Sequence, residues 1–582
     1  MARRWLHAWG EATAFLRGAR TPTLADLVVV GALGGLAFAI ARVAHGWTGA
    51  LRPTVEIDLS PAALPGYALL SLSRGLLAYV LSFLFTLGYG SWAAHDRRAE
   101  RVLVPLLDVL QSVPVLGFMP GLVLALVALF PRSSTGLELA AVLMIFTGQA
   151  WNMTFSYYRS VRSLPADQLE AARVYRFTPG ERFRWVELPA SAIGLVWNSM
   201  MSMAGGWFFL MVSEAFVLGD KDFRLPGLGS YMSVAVARGD GAAMAWAVLA
   251  MALMIVALDQ LLWRPVVVWS EKFRLEEGGG ASEAASSWFL TLLRRSHLLA
   301  AAGAVLGRAA AALRRRARAH PGPAPAPRAA GRARGGAAAT VALVLLLGGL
   351  ALGSLELLRL LRAVPPRAWL VTGGAAGVTL LRVLVSTALG TLWAVPAGLA
   401  IGLSPRLSRA LQPVVQVVAS FPAPMLFPAA LAALRALGVG LGVGSVVLML
   451  LGTQWYILFN VVAGAMAIPA DLREAARSYR IRGFALFRRL HLPAVLPYLV
   501  TGWVTAAGGA WNASIVSEYV TVHGTGLATF GLGARISAAA ERADFPLLAA
   551  SGAVRSLVVV VFNRLVWRPV NDLAERRYTL LR

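Results

Sequence analysis

The sequence predicts an all-α polytopic membrane protein built as two parallel six-helix repeats, about 12 transmembrane helices by the ~20-residue criterion. Three observations carry that expectation. Of 582 residues, 58% are apolar and only 14% charged, against about a quarter charged in a typical globular domain. Charge-free apolar stretches of about 20 residues recur, each long enough to cross a ~30 Å hydrocarbon layer as a helix; residues 242–258 and 337–355 are examples. The third observation is that the chain repeats itself.

Arg74, Arg101, Pro105, Ser112, Pro114 and Pro120 recur as Arg382, Arg409, Pro413, Ser420, Pro422 and Pro428, at a constant offset of 308 from Arg74 to Arg382. From Trp151 onward the offset is 304: Trp151, Phe155, Pro165, Glu170, Phe183, Pro189, Glu214 and Trp263 recur as Trp455, Phe459, Pro469, Glu474, Phe487, Pro493, Glu518 and Trp567. Self-similarity over this length is the signature of a duplication. Six apolar segments fall in each half. They lie near 25–45, 66–94, 102–130, 138–157, 190–218 and 243–268, then near 338–362, 372–402, 411–437, 443–464, 492–521 and 546–567. An even number per half makes the repeats parallel.

Arginine in short loops sets orientation. Arg97, Arg98 and Arg101 fall in one loop, Arg159, Arg162, Arg173, Arg176, Arg182 and Arg184 two segments later, and Arg264, Lys272 and Arg274 after the sixth. Both termini are therefore expected on the cytoplasmic side. The organisation reads as a basic amphipathic segment (1–24), a first repeat (25–270), a cytoplasmic linker (271–336) and a second repeat (337–582). The linker carries Gly278–Gly280, the cluster Arg314–Arg316 and a Pro/Ala tract from Pro321 to Pro327, a composition that cannot build a packed core.

Composition also excludes chemistries. The chain has no cysteine, which removes disulfides and thiolate metal sites. A net charge of +25 would suggest nucleic acid in a soluble protein, but here the arginines gather between apolar runs and no nucleic-acid partner is expected; lipid is. Lys221 and Lys272 are the only lysines and neither follows a glycine, so no phosphate-binding loop of an ATPase is present. The seven histidines show no HExxH or other metal-ligand spacing, so neither an enzyme nor a resident metal is expected.

The loop between the fourth and fifth segments is polar yet copied in both halves. It reads Leu164-Pro165-Ala166-Asp167, then Glu170-Ala171-Ala172-Arg173, Phe183 and Leu188-Pro189. Its copy reads Ile468-Pro469-Ala470-Asp471, then Glu474-Ala475-Ala476-Arg477, Phe487 and Leu492-Pro493. Proline followed by an acidic first turn marks a helix start, so each copy predicts a short helix, a turn and a second segment re-entering the bilayer. A polar element presented twice suits docking to a symmetric dimer.

These residues resemble the coupling loop of binding-protein-dependent ABC-importer permeases, within the nitrate/sulfonate/taurine branch and in a fused, duplicated form. The resemblance covers nearly all of both halves outside the N-terminal segment and the linker. Gly205-Gly206-Trp207 and Gly509-Ala510-Trp511, with Gly227-Leu228-Gly229 and Gly531-Leu532-Gly533, agree with it. It implies a type I permease fold in a bacterial inner membrane and two separate cytoplasmic ATPase subunits, which would carry ATP and Mg, docked on Glu170–Arg173 and Glu474–Arg477. An extracytoplasmic binding protein would deliver a small anion such as nitrate, a sulfonate, taurine or bicarbonate. The family usually places glycine six residues after the Glu, where the chain turns; here Arg176 and Arg480 stand there, with Gly180 and Gly483 nearby as alternative turn residues.

Polar groups inside the spans complete the candidate set. Arg74 and Arg382 open the second segment of each half and are read either as snorkelling cations or as an electropositive rim for an anion. Glu214 and Glu518 are read as ion-pair partners for them. Ser112 (beside Gln111), Ser420, Trp207, Trp511 and Asn512 are candidate pathway residues, and the Ser-x-Pro pairs should break the third helix of each half. A secondary transporter or channel with parallel repeats is the competing reading.

Overall fold

The computed structural model describes residues 25–27, 30–31, 35, 56–112, 115–218, 221–273, 287–296, 304, 307–308, 335–522 and 525–578. The amphipathic segment 1–24, nearly all of the first expected span and the Arg- and Pro-rich core of the linker lie outside them. The chain falls into two compact units, residues 1–46 with 258–346 and residues 47–257 with 347–582.

The first repeat runs α1 (Leu64–His95), α2 (Arg97–Ser112), α3 (Val115–Leu129), α4 (Thr135–Arg162), α5 (Ala166–Val174) and α6 (Pro179–Glu214), then a short hairpin of β1 (Val217–Leu218) and β2 (Lys221–Asp222), then α7 (Leu228–Arg238) and α8 (Gly241–Phe273). After α9 (Trp288–Arg294), the second repeat gives α10 (Gly335–Arg362), α11 (Pro366–Leu403), α12 (Pro405–Ser420), α13 (Phe427–Ala436), α14 (Leu441–Met466), α15 (Ala470–Ser478) and α16 (Gly483–Ser517). A hairpin of β3 (Tyr519–Val522) and β4 (Thr525–Ala528), α17 (Leu532–Glu541) and α18 (Phe545–Tyr578) follow. In the smaller unit, α9 is tied by the Trp288 Nε1 hydrogen bond to Gln260 Oε1 at 3.1 Å.

Seven described helices are long and apolar enough to cross a membrane, or eight if the bent pair α12–α13 is one span. The fold is all-α apart from the two hairpins, which end the fifth segment of each half a few residues short of the span read from sequence.

Small residues line the contact face of α1. On α1 the buried face is Ser71, Gly75, Ala78, Ser82, Thr86, Gly90 and Ala93 around Arg74, a spacing of three and four that lets backbones approach closely where lipid removes the hydrophobic drive. Leu77, Leu81 and Leu84 of the same helix point outward. In each half this face packs on the fourth-segment helix, which packs on the fifth: α1 on α4 on α6, and α11 on α14 on α16.

The third segments are not straight spans. Arg97, Arg98 and Arg101, expected in a loop, start α2 instead: Asp96 Oδ1 accepts from the Arg98 N–H as a cap, and Glu100 lies in the first turn. In the second half α12 and the 3-10 turn leading into α13 are bent by 84°. The bend follows Ser420-Phe421-Pro422, where Phe421 takes extended geometry (φ −73, ψ 130), as a residue before proline prefers.

Four π-helical turns recur in repeat register: Phe183–Glu187 and Phe487–His491, Asp259–Trp263 and Asn563–Trp567. Each ends one residue before a helix whose second residue is proline: Pro189, Pro493, Pro265 and Pro569. The proline ring would clash with the carbonyl four residues back; widening the preceding turn to five-residue hydrogen bonds, such as Leu188 N–H to the Phe183 carbonyl, relieves it.

Candidate functional site

The duplicated loop folds twice into the same helix–turn–helix. Pro165 and Pro469 precede α5 and α15, and Asp167 and Asp471 occupy the first turns, where a carboxylate complements the helix dipole. Of the four matched residues in each copy, Ala172 and Ala476 are buried against the body while Glu170, Ala171, Arg173, Glu474, Ala475 and Arg477 face outward. Beyond them Tyr175 and Tyr479 are 75% and 81% exposed.

The turn lies at the arginines themselves, not at Gly180 or Gly483. Arg176 and Arg480 are left-handed, with φ of 51° and 52°. Arg176 N–H donates to the Arg173 carbonyl (3.0 Å) and Phe177 N–H to the Ala172 carbonyl (2.9 Å). Arg480 and Ile481 repeat this on Arg477 and Ala476, both at 2.9 Å. This double bond pattern is the Schellman closure normally completed by glycine; a non-glycine residue there costs about 1–3 kcal/mol. Gly180 sits inside α6, and Gly483 takes a separate left-handed turn (φ +57) as α16 begins.

Before α5 resumes as α6, the first loop is held to α1 by charge. His95 Nε2 lies 2.8 Å and Arg182 Nε 2.7 Å from the same oxygen, Glu187 Oε1. The matching residues of the second half are Leu403, Leu486 and His491, and there Leu403, Phe487, Leu490 and Leu492 pack on an apolar cluster instead.

A second duplicated arrangement lies at the other end of the same helices. Arg74 is fully buried and donates to two carboxylates: Nη1 to Glu214 Oε1 at 2.6 Å and Nε to Glu138 Oε2 at 2.5 Å, with Nη1 also on the Pro226 carbonyl at 2.9 Å. Ser71 Oγ donates to Glu214 and accepts from the Leu228 N–H (3.0 Å), while the Gly229 N–H donates to Glu214 Oε2 (2.8 Å). The Glu214 carboxylate thus ties α1 and the start of α7 to α6, and Arg74 brings in α4 through Glu138. In the second half Thr379, Arg382, Glu518, Leu532 and Gly533 repeat the motif, with Arg382 Nη1 2.8 Å from Glu518. The glycines of the two Gly-Leu-Gly motifs are steric necessities, since a Cβ on Gly227 or Gly531 would overlap the glutamate carboxylate.

The geometry separates the remaining pathway candidates. Arg74 faces neither headgroups nor a rim, and Arg382 is only 11% exposed. Trp207 is buried against Gly75 of α1, 2.9 Å from where a Cβ would stand, a packing contact. Ser420 Oγ donates back to the Gln416 carbonyl at 2.8 Å. The Ser112 side chain lies outside the described residues. Trp511 and Asn512 gather around Arg555 of α18, which is 2% exposed: Arg555 Nη2 donates to Asn512 Oδ1 at 2.8 Å, and its guanidinium carbon lies 6.0 Å from the Trp511 ring centre. Sequence reading passed over Arg555 and Glu138. Both had a signal, a lone charge within or at the start of an apolar run.

Comparison with known proteins agrees with this duplicated architecture. The family described as binding-protein-dependent transport system inner membrane component matches twice, over residues 86–262 and 390–570. The chain belongs to this family. Similar proteins include the nitrate import permease protein NrtB of Leptolyngbya laminosa, 30% identical over 26% of this permease and 53% of the relative. The bicarbonate transport system permease protein CmpB of Synechocystis sp. is 29% identical over 24% and 48%. The taurine transport system permease protein TauC of Escherichia coli is 25% identical over 32% and 64%. This permease spans about half the length of the first two.

Proposed function

We propose that this permease is the membrane component of an ATP-driven importer for a small anion such as nitrate, bicarbonate, taurine or another sulfonate. On this reading it performs no hydrolysis itself. Two cytoplasmic ATPase subunits hold ATP and Mg and grip α5 and α15, and a binding protein outside the bacterial inner membrane hands over the cargo. Both termini and the linker between repeats lie on the cytoplasmic side, with the arginines.

The observation that carries the reading is the doubled loop. Two copies present the same outward residues, Glu170, Ala171 and Arg173 with Glu474, Ala475 and Arg477, on the same rigid closure. A fused chain thereby offers a symmetric ATPase pair two equivalent handles. Each loop runs without a break into a long span, so a displacement of the handle is delivered to α6 or α16 as rigid-body motion.

Replacing both Glu170 and Glu474 by arginine reverses charge on each handle without touching a buried contact. The expected result is loss of ATPase co-purification, or ATPase activity no longer stimulated by the binding protein, with normal membrane insertion. Full transport by the double variant would sink the assignment.

A further inference from the structure

Among the described residues, Arg555 stands apart from the other fully buried charged groups of the spans. It lies ten residues into α18, in the middle of the apolar run 545–562, about 15 Å along the helix axis. Its guanidinium has one partner, the Asn512 carbonyl oxygen. Among the described residues, Nε and Nη1 have no hydrogen-bond partner, and neither does Ser551 Oγ one turn earlier on the same helix. The carboxylate whose field reaches Arg555 is Glu518, and that group is already taken up by Arg382, Thr379 and the Gly533 N–H. A buried cation with open donors and no carboxylate of its own is costly unless something of opposite charge completes it.

The first half fills the matching position with an apolar side chain. At the matching position the first half has Met251, fully buried in α8, and Phe208 matches Asn512. The guanidinium and the amide are thus features of the second half alone, with apolar residues at both matching positions of the first. The helix carrying Arg555 also packs against α2 and α3 of the first half as well as α11 and α17 of its own, so the charge sits on a helix of the seam between repeats.

We propose that Arg555, with Asn512 and the face of Trp511, forms one intramembrane binding site for a small monovalent anion, carried by the second half alone. The anion accepts charge-assisted hydrogen bonds from Nε or Nη1 and neutralises the guanidinium. Asn512 fixes the fork through Nη2, and the indole face lies 6.0 Å from the guanidinium carbon. The inference rests on the importer reading for its role, since the anion held here is cargo in transit, but binding is measured without the ATPase.

The test uses the purified full chain in lipid nanodiscs, titrated with sodium nitrate, bicarbonate or methanesulfonate against gluconate at constant ionic strength, with thermal midpoint and tryptophan fluorescence as readouts. At least one of the three small anions should give a saturable rise in midpoint. Arg555→Met, which installs the residue the first half uses, should raise the half-saturating concentration by about tenfold or more. Arg555→Lys keeps the charge without the fork and should fall between. In gluconate alone Arg555→Met should be no less stable than the parent, because replacing an unpaired buried charge by an apolar side chain removes a desolvation cost; a purely structural arginine predicts a lower midpoint instead. An unchanged half-saturation in Arg555→Met, or no anion response in the parent chain, overturns the site. Either result with binding-protein-stimulated ATPase activity intact leaves the importer reading standing, whereas loss of that coupling would bear on the importer reading alone.

Discussion

The two halves share one clasp and differ in how it is neutralised. In the first, Arg74 lies between two buried carboxylates, Glu138 and Glu214. In the second, the residue matching Glu138 is Gly442, so Arg382 turns Nε to the Gly442 carbonyl (3.1 Å) and Nη2 to Thr529 Oγ1 (3.1 Å), keeping only Glu518 as counter-charge. By formal charge the first clasp is an anion and the second is neutral, with Arg555 as an added cation in the same half. The shared part is what the fold requires: a carboxylate gathering the α1, α6 and α7 backbones, and their counterparts, at one point. The differing part is free to set the electrostatics of each half.

The largest expected difference comes from removing each arginine. Arg74→Gln leaves two carboxylates buried without a cation and should cost about 3–5 kcal/mol, the range for breaking a buried pair. Arg382→Gln leaves one, which keeps its bonds to Thr379 and the Gly533 N–H, and should cost about 1–3 kcal/mol. Thermal and denaturant unfolding in detergent compare the two directly. Equal losses would mean that Glu138 is not part of the clasp's balance. Adding Glu138→Gln to Arg74→Gln should recover part of the loss, since the neutral amide removes one unpaired charge.

How much of this was legible in the sequence follows from what each signal depends on. The duplication, the loops and the partnership of Arg74 with Glu214 are visible because both copies carry them at fixed offsets. The four π turns each precede a proline that recurs in both halves, but Pro105, Pro396 and Pro413 sit in helices without one, so proline alone does not reveal them. Glu138 and Arg555 were missed because they occur once: a search for what repeats discards what distinguishes the halves. The bend of the Ser-Phe-Pro segment was readable from proline chemistry, but not that it would divide a span by 84°. The turn at Arg176 and Arg480 was open in the sequence, since the resemblance placed a turn there while the residue type pointed to Gly180 and Gly483; the Ala172–Phe177 and Ala476–Ile481 hydrogen bonds decide it.

A second, smaller contrast lies at the loop end of the same helices. Glu187 of the first half is 2% exposed and receives His95 and Arg182, whose side chains are 39% and 36% exposed. Glu187→Gln should therefore loosen residues 183–190 by about 1 kcal/mol, the exposure of both cations keeping the effect well below that of a fully buried pair. Hydrogen exchange of that segment should speed up about fivefold. His491→Gln at the matching site should leave residues 487–494 unchanged, because Leu403, Phe487 and Leu490 hold that loop by apolar contact. Equal acceleration in both loops would show that the ionic tie adds nothing to the first.

The smallest effect tests where the halves agree. Arg176 and Arg480 hold nearly identical left-handed angles, so glycine at either position should act alike in both loops. Relieving the backbone gains about 1–2 kcal/mol, while glycine's extra freedom in the unfolded chain takes back about 0.5–1 kcal/mol. The net change in the permease alone should be a gain between zero and about 1.5 kcal/mol per site, near the resolution of a thermal melt. The double variant Arg176→Gly, Arg480→Gly makes it measurable. Association with the ATPase subunits supplies the second reading of the same pair. If the side chains serve only to occupy the turn, binding follows stability and stays the same or tightens. If the arginines are kept in a strained turn because they touch an acidic surface on the ATPase, the more stable variant binds more weakly, and the loss grows smaller as salt is raised. Stability and association moving in opposite directions would assign the strain to docking; moving together, they would leave the arginines as turn residues that the Schellman hydrogen bonds tolerate.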